Sequence, residues 1–373
     1  MRRETSPARR DWRRRCEEAG FNYHSMGDTY WDESVCYAFT AEQIDRLEAV
    51  SAELHSLCLS AVEHVVREQR FAEFAIPQPM RSLVAQSWQE REPSLYGRFD
   101  LSWDGVHEPK LLEYNADTPT ALLEASVVQW HWLEDTRPGA DQFNSLHEKL
   151  IPRWQAIRQA ARSTRLHLCC AKESAEDLGN IEYLRDCALQ AGWDARQVYI
   201  EDLGWDGERF VDLEDEPVEV LFKLYPWEWL AREAFAVHLP RGPARMIEPA
   251  WKMLLSNKAL LVLLWELNYA HPNLLPAYYD ERRFAGEYAK KPLLAREGAN
   301  VTLRRGLTSL HQPGDYGAEG YVYQGLAPLP NFGGRYPVIG SWMVGDQPAG
   351  IGIREDDSPI TKNSSRFIPH YFA

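Results

Sequence analysis

A mixed α/β and α+β fold with more than one lobe is predicted by three observations. A strand–helix–strand run between residues 165 and 203 implies a parallel sheet. A tight hairpin between residues 94 and 115 implies an antiparallel one. A long periodic stretch at residues 41–68 supplies an apolar helix face large enough to cover a sheet. At 373 residues, 45% hydrophobic and 26% charged, the chain can bury a large core and form two or three structural lobes.

The N-terminus is basic through Arg2, Arg3, Arg9, Arg10, Arg13, Arg14 and Arg15. Glu4, Asp11, Glu17 and Glu18 interrupt the run, so it reads as a solvated helix start, and no apolar stretch follows to make a secretory signal. Ile44, Leu47, Val50, Leu54, Leu57, Ala61 and Val65 recur at helical spacing through 41–68. Residues 94–103 and 110–115 read as the hairpin strands, with Asp104-Gly105 in the turn. Pro119 is expected to open a helix over 120–133, capped by Asp117 or Thr118. A third helix is expected over 142–162. Next come a buried strand at 166–170, a helix at 179–191 stopped by Gly192, and a strand at 197–200. Another strand at 218–224 runs into Tyr225-Pro226-Trp227-Glu228-Trp229. Ser256-Asn257-Lys258 leads into an apolar helix at 259–267. Strands are expected at 288–292, 321–324, 336–344 and 349–354, with a Gly-containing loop after the first. Three segments of one continuous unit follow, 1–164, 165–240 and 241–373.

Several function classes are disfavoured. A net charge of −14 does not suit a nucleic-acid surface, though it is compatible with a cationic substrate. No apolar run approaches membrane-spanning length. Six dispersed cysteines without Cys-x-x-Cys suit reduced thiols in a cytoplasm. The histidines show no zinc spacing. No Gly-x-Gly-x-x-Gly opens the helix of the strand–helix–strand unit, and neither a P-loop nor a protein-kinase motif set is present.

The richest chemistry lies in the hairpin, in Arg98-Phe99-Asp100 and Glu113-Tyr114-Asn115-Ala116-Asp117. Strand side chains alternate faces, so Arg98 and Asp100 share one, as do Glu113 and Asn115. Any register with an odd residue sum, such as Asp100 opposite Glu113, places all four together. Hard oxygen donors of this kind suit Mg²⁺, which keeps several waters and shares itself with phosphates. Spacing alone leaves open a solvated face with an Arg–Asp pair. Lys258 before a helix and Lys291 at a strand end have the placement of phosphate-neutralising point charges, or of surface lysines. The loop Glu297-Gly298-Ala299 is small enough to close over phosphates.

Taken in order, these segments resemble the synthetase domain of the glutathionylspermidine synthase family, which has an ATP-grasp fold. The matching stretches are Tyr96-Gly-Arg-Phe-Asp100, Glu113-Tyr-Asn-Ala-Asp-Thr118, Glu248-Pro-x-Trp, Asn257-Lys-Ala-Leu with Leu264-Trp265, Lys291-Pro292, Arg296-x-Gly-x-Asn300 and Gly352-Ile-Arg354, from about residue 20 to the C-terminus. The resemblance implies an ATP-grasp fold with a small strand–helix–strand pre-ATP-grasp lobe. It implies an ATP- and Mg²⁺-dependent carboxylate–amine ligase working through an acyl phosphate, with two Mg²⁺ ions. Asp100, Glu113 and Asn115 match metal ligands, and Lys258 and Lys291 match ATP phosphate ligands. Arg98, Arg354 and the mobile-loop Arg296 match arginines that face the reacting groups. Glu297 and Gly298 match the loop over the nucleotide, and Gln324, Gly325, Leu326 and Ala327 match the hinge that receives adenine. Arg98, Thr118, Glu176 and Asp177 are expected to contact substrate.

The chain departs from the family pattern in three respects. The preceding amidase domain of bifunctional members is not expected here. A hydroxyl residue after the lysine of the strand at Phe222-Lys223 is replaced by Leu224, and an acid near the C-terminus by Arg366. An acid-to-base exchange inside a polyamine site would reverse its charge preference. The expected partners are therefore a peptide carboxylate such as glutathione and a polyamine or another amine, with oligomeric state open, a homodimer included. The alternatives are a non-catalytic nucleotide- or peptide-binding relative, and an ATP-dependent kinase of a small acid.

Overall fold

The computed structural model describes residues 1–27, 29–240 and 244–373. The division expected at 240/241 meets residues 241–243, which lie outside the described residues. Three larger sheets build the molecule. The central one is antiparallel, in the order Arg366–Ile368, Gln347–Asp356, Tyr336–Val344, Tyr96–Ser102, Lys110–Asn115. It draws strands from both ends of the chain. Phe99, Leu101, Ile339, Met343, Ile351 and Ile353 alternate onto one face and pack in one core with the helix Ala41–Glu68, which buries Ile44, Leu47, Val50, Leu54, Ala61 and Val65. Burying each such side chain is worth about 1.5–3 kcal/mol. Thr40 and Gln43 close a reciprocal cap at the helix start. The opposite face carries Arg98, Asp100, Glu113 and Asn115 beside Tyr96, Trp342 and Val344, which pack in a second core.

The hairpin has the expected register, with Asp100 opposite Glu113 and Arg98 opposite Asn115. Between Asp100 and Leu101 the register shifts, because Leu111 pairs with Leu101 and Leu112 is the extra residue. This bulge frees backbone carbonyls for other partners. The Leu112 carbonyl accepts from Lys291 Nζ at 2.8 Å, and the Leu111 carbonyl accepts from Gln324 Nε2 at 2.9 Å.

Those partners stand on the second sheet, also antiparallel, ordered Ala277–Tyr278, Tyr321–Gly325, Glu287–Pro292, Thr302–Arg305, Thr308–His311. Its last two strands are half-exposed or exposed and carry no apolar alternation, which is why the sequence reading passed over them. The third sheet is parallel, ordered Arg245–Ile247, Val220–Lys223, Arg165–Cys170, Asp194–Tyr199. Its crossover helix Ala175–Gln190 starts before the expected residue 179 because Ser174 caps it, accepting from the Asp177 amide. Gly179 lies inside that helix, where a Cβ would stand 2.7 Å from the Tyr23 ring.

Three further expectations are corrected. The N-terminus is first a strand, Arg2–Thr5, which pairs with Val35–Phe39, and Arg3 forks onto Glu355 at 2.7 and 3.0 Å; the helix spans only Trp12–Glu18. The helix expected at 120–133 does not begin at Thr120. Ala121 has a left-handed φ of 67°, the Asn180 side chain receives the Leu122 amide at 3.0 Å, and the first turns widen to a π-helix over Glu124–Val128. Neither Asp117 nor Thr118 caps it. The helix expected over 142–162 spans Leu146–Ala161, because residues 142–145 bond to neighbouring elements: Gln142 Nε2 donates to the Gln129 and His370 carbonyls and Ser145 N to Ala349 O.

Asp117 instead joins the central hairpin to the parallel sheet. Its carboxylate accepts from Lys223 Nζ at 2.7 Å and from the Trp227 amide at 2.8 Å, with both side chains buried. Asp117→Ala leaves a buried ammonium unpaired, so stability should fall by about 3–5 kcal/mol in a denaturant titration. A loss under 1 kcal/mol would mean that this pair does not hold the lobes together.

Candidate active site

Two cavities, of about 190 and about 580 Å³, meet on the polar face of the central sheet, and both are lined by Asp100, Glu113, Gly298, Val338 and Thr361. Arg98, Asp100, Glu113 and Asn115 stand side by side there. Arg98 Nε donates to Asp100 at 2.8 Å and another guanidinium nitrogen to the Thr120 carbonyl at 2.7 Å. Asn115 Nδ2 reaches Asp100 at 3.2 Å and Glu113 at 3.3 Å. Gly340 faces Asp100 on the next strand, and a Cβ there would stand 2.7 Å from Arg98 Cδ. The bare strand lets Arg98 lie across it.

The larger cavity holds the two lysines. Lys258 Nζ lies 3.0 Å from Glu113 and donates to the Ala295 carbonyl. Lys291 donates to Leu112 O and to Gln324 Oε1, both at 2.8 Å. Gln324, Gly325, Leu326 and Ala327 all line the same cavity, and the Gln324 side chain also holds Lys291 and the bulge. Burial pushes the Lys291 ammonium down to about 8, against the opposing pull of Glu113. Burial alone would raise Glu113, but Lys258 and Lys291 hold it below the usual carboxylate range. Asp100 moves the other way, raised by burial and by Glu113 against the pull of Arg98.

The smaller cavity holds Arg98, Thr118, Asp177, Arg296, Glu297 and Arg354. Arg296 bridges to Thr118 Oγ1 at 2.6 Å and to Glu228 at 2.7 Å. Glu297 and Asn300 have left-handed φ, as does Gly298 between them. A Cβ on Gly298 would stand 2.6 Å from the Thr361 carbonyl, so the loop seats backbone against backbone between the cavities. Arg354 donates to the carbonyls of Ser365, Lys362 and Asn363 at 2.6–3.0 Å and lies 5.1 Å from the Tyr30 ring.

Glu176 is the one expected substrate contact that does not line either cavity. It is buried in the first turn of its helix, and its Oε1 has no hydrogen-bond partner among the described residues. Beside it lies an acid that the sequence reading missed. Glu124 is fully buried and accepts from Tyr30 at 2.7 Å and Tyr23 at 3.4 Å. Burial and Glu176 push Glu124 up to about 7 and Asp177 up to about 6. The missed signal was a single acid in the otherwise apolar run from Ala121 to Val128. Arg366 does not enter this group. It points to Glu355 at 3.3 Å and Asp32 at 3.8 Å, whereas its neighbour Phe367 lines the cavity. Arg366 therefore adds no positive charge to the cavity lining.

The class defined by this architecture is a mixed α/β protein with a two-cavity site. A similar overall arrangement occurs in a crystal structure provisionally titled a γ-glutamylcysteine synthetase, from Methylobacillus flagellatus KT. The two share 11% identity and a TM-score of 0.50 over 83% of this chain and 86% of that one. At that identity the likeness concerns the fold alone. The family model for glutathionylspermidine synthase preATP-grasp matches residues 3–373, and the chain belongs to that family. It is 45% identical, over the full length of both chains, to a Haemophilus influenzae protein provisionally named an acid–amine ligase. It is 29% identical to trypanothione synthetase of Crithidia fasciculata, covering 95% of this chain and 57% of that protein. The bifunctional glutathionylspermidine synthetase/amidase of Escherichia coli shares 29% identity, over 89% of this chain and 58% of that protein. With these relatives the chain is a carbon–nitrogen ligase. Among the described residues no helix is long and apolar enough to cross a membrane.

Glu113→Gln removes the charge that favours the Lys291 ammonium. Lysine side-chain NMR titration should show Lys291 moving further below about 8 in that variant. An unmoved titration would place the carboxylate away from the lysine.

Proposed function

We propose that the protein is an ATP- and Mg²⁺-dependent acid–amine ligase with an ATP-grasp-type site. The observation that carries this reading is the meeting of two chemically different cavities at Asp100 and Glu113. The larger one presents two buried ammonium groups and an apolar pocket, which suits a nucleotide with its phosphates at Lys258 and Lys291. The smaller one presents three guanidinium groups, which suit a carboxylate and a transferring phosphoryl group.

The donor set fits Mg²⁺. Two carboxylates and an amide converge, all hard donors, and Asp100 and Glu113 repel one another in burial. Asp100, Glu113 and Asn115 would hold the metal, which when bound supplies charge neutralisation for the phosphates. Lys258 and Lys291 bind the phosphate chain. Arg98 and Arg354 orient the acid and neutralise its carboxylate, so that it can attack the γ-phosphoryl group in line. The bond from the γ-phosphorus to the bridging oxygen breaks, giving an acyl phosphate and ADP. An amine then attacks the carbonyl carbon, loses a proton, and releases phosphate. Arg296 and the Glu297–Gly298 backbone keep water from the mixed anhydride. No protein nucleophile is required.

The reading is tested by ADP release with pooled peptides and amines, followed by mass spectrometry of the products. An amide product supports it, whereas a phosphorylated acid stable without amine would reassign the chain as a kinase. Glu113→Gln should abolish turnover while the folded circular dichroism spectrum persists. Near-normal ADP release from that variant would put the metal elsewhere. Lys291→Ala should weaken ATP binding in calorimetry. Arg354→Lys should retain ATP binding and lose about 10²–10³ in kcat, since it withdraws a preorganised donor from the transition state. A loss of ATP affinity in proportion to rate would remove Arg354 from that role.

A further inference from the structure

One side of the smaller cavity differs from the rest. It is lined by Ala171, Asp177, Leu224, Tyr225, Pro226 and Trp229, all contributed by the parallel-sheet lobe. This lining presents an apolar wall and the carboxylate of Asp177, with Glu176, Glu297 and Arg296 close enough to act on that carboxylate. Arg98, Arg296 and Arg354 belong to other segments.

The wall is rigid. The Leu224 amide donates to Cys169 O at 2.8 Å. Lys223 before it and the Trp227 amide after it are both fixed by buried Asp117. Glu228 is fixed by Arg296. Leu224 and Pro226 are therefore presented without freedom to turn away. Trp229 is 41% exposed although it lines the cavity, and Tyr225 meets it edge to face at 5.6 Å. A large indole left partly open beside a fixed apolar wall offers unused burial to a ligand. Asp177, on the same wall, offers one negative charge, and aromatic faces next to it also attract cations.

We infer that Leu224, Pro226 and Trp229 form a specificity wall for a bulky apolar group carrying one ammonium, received by Asp177. This rests on the ligase reading only in that the group belongs to a substrate. Two sources have this chemistry: an aryl or branched-alkyl primary amine, and a peptide acid with an apolar N-terminal residue. A polycation without an apolar group gains nothing from such a wall. Leu224 is decisive because a hydroxyl in its place would interrupt the apolar surface.

Calorimetry on the full chain with Mg²⁺ and a non-hydrolysable ATP analogue tests this without turnover, so a failed ligase assay does not affect it. The aryl probes are phenethylamine for the amine source and Phe-Gly for the acid source. Their controls are ethylamine and Ala-Gly, with spermidine as the polycation. At least one aryl probe should bind 10- to 200-fold more tightly than its small control, the range expected for filling an apolar pocket. Trp229→Ala and Leu224→Thr should each shrink that ratio at least fivefold, and Asp177→Asn should weaken the aryl probe and its small control alike. Whichever aryl probe shows the ratio identifies the source. The inference is overturned if neither aryl probe exceeds its control, if spermidine binds more tightly than both, or if the ratio survives both wall variants.

Discussion

The site depends on one constraint, the register of a single antiparallel hairpin. A slip by one residue would turn every side chain of one strand to the opposite sheet face. Arg98 and Asp100 would then no longer share a surface with Glu113 and Asn115. The register is held from the far side by burial, since Phe99, Leu101 and Tyr114 must face the helix Ala41–Glu68 for the core to close. The bulge at Leu112 completes the constraint. It frees a carbonyl that takes Lys291, and with Gln324 it locks the second sheet against the hairpin. The same backbone irregularity thus places the carboxylates and sets the lysine opposite them.

Buried ion pairs carry this precision to the rest of the molecule. Asp117–Lys223 ties the hairpin's end to the parallel sheet. Glu248 accepts from the amides of Leu95 and Tyr96, and Lys252 donates to the carbonyls of Tyr96 and Ala116, so a second charged pair grips both hairpin strands. Such pairs contribute little net stability, because desolvation offsets their attraction. Their effect is geometric: each satisfies several backbone groups at once, and a displaced lobe would leave a charge buried alone.

Periodicity made the long helix, the hairpin and the strand–helix–strand unit legible, because each carries a repeated burial pattern. The odd-sum register was legible for the same reason, whereas the bulge was not: no residue type in Lys110–Asn115 marks it. The hairpin Thr302–His311 was invisible because none of its side chains is buried in a core, although Leu303 and Leu310 line the larger cavity. The early helix start at Ala175 was hidden by Gly179, which reads as a boundary and is instead a contact with Tyr23. Lys258, Lys291, Arg98 and Arg354 were named through an ordered set of weak motifs, and the structure brings all four to the two cavities. Glu124 and Glu228 escaped because their significance is tertiary. One is an acid facing two tyrosines from a distant segment, and the other a partner for Arg296 across the cavity.

The two halves of the site are built from different materials. Strand residues fix Asp100, Glu113, Asn115, Arg98 and Arg354. The side facing them is closed by loops, the left-handed turn at Glu297–Asn300 and the C-terminal segment around Thr361. Reaction geometry tolerates errors of well under 1 Å, and strands in a packed sheet meet that demand where loops do not. Loops meet a different demand, bringing backbone close to backbone at Gly298 and Thr361, residues that line both cavities. A residue with a Cβ at position 298 would hold that contact open. Glycine there lets the loop approach Thr361 closely beside the strand-borne residues, whose positions the hairpin register fixes.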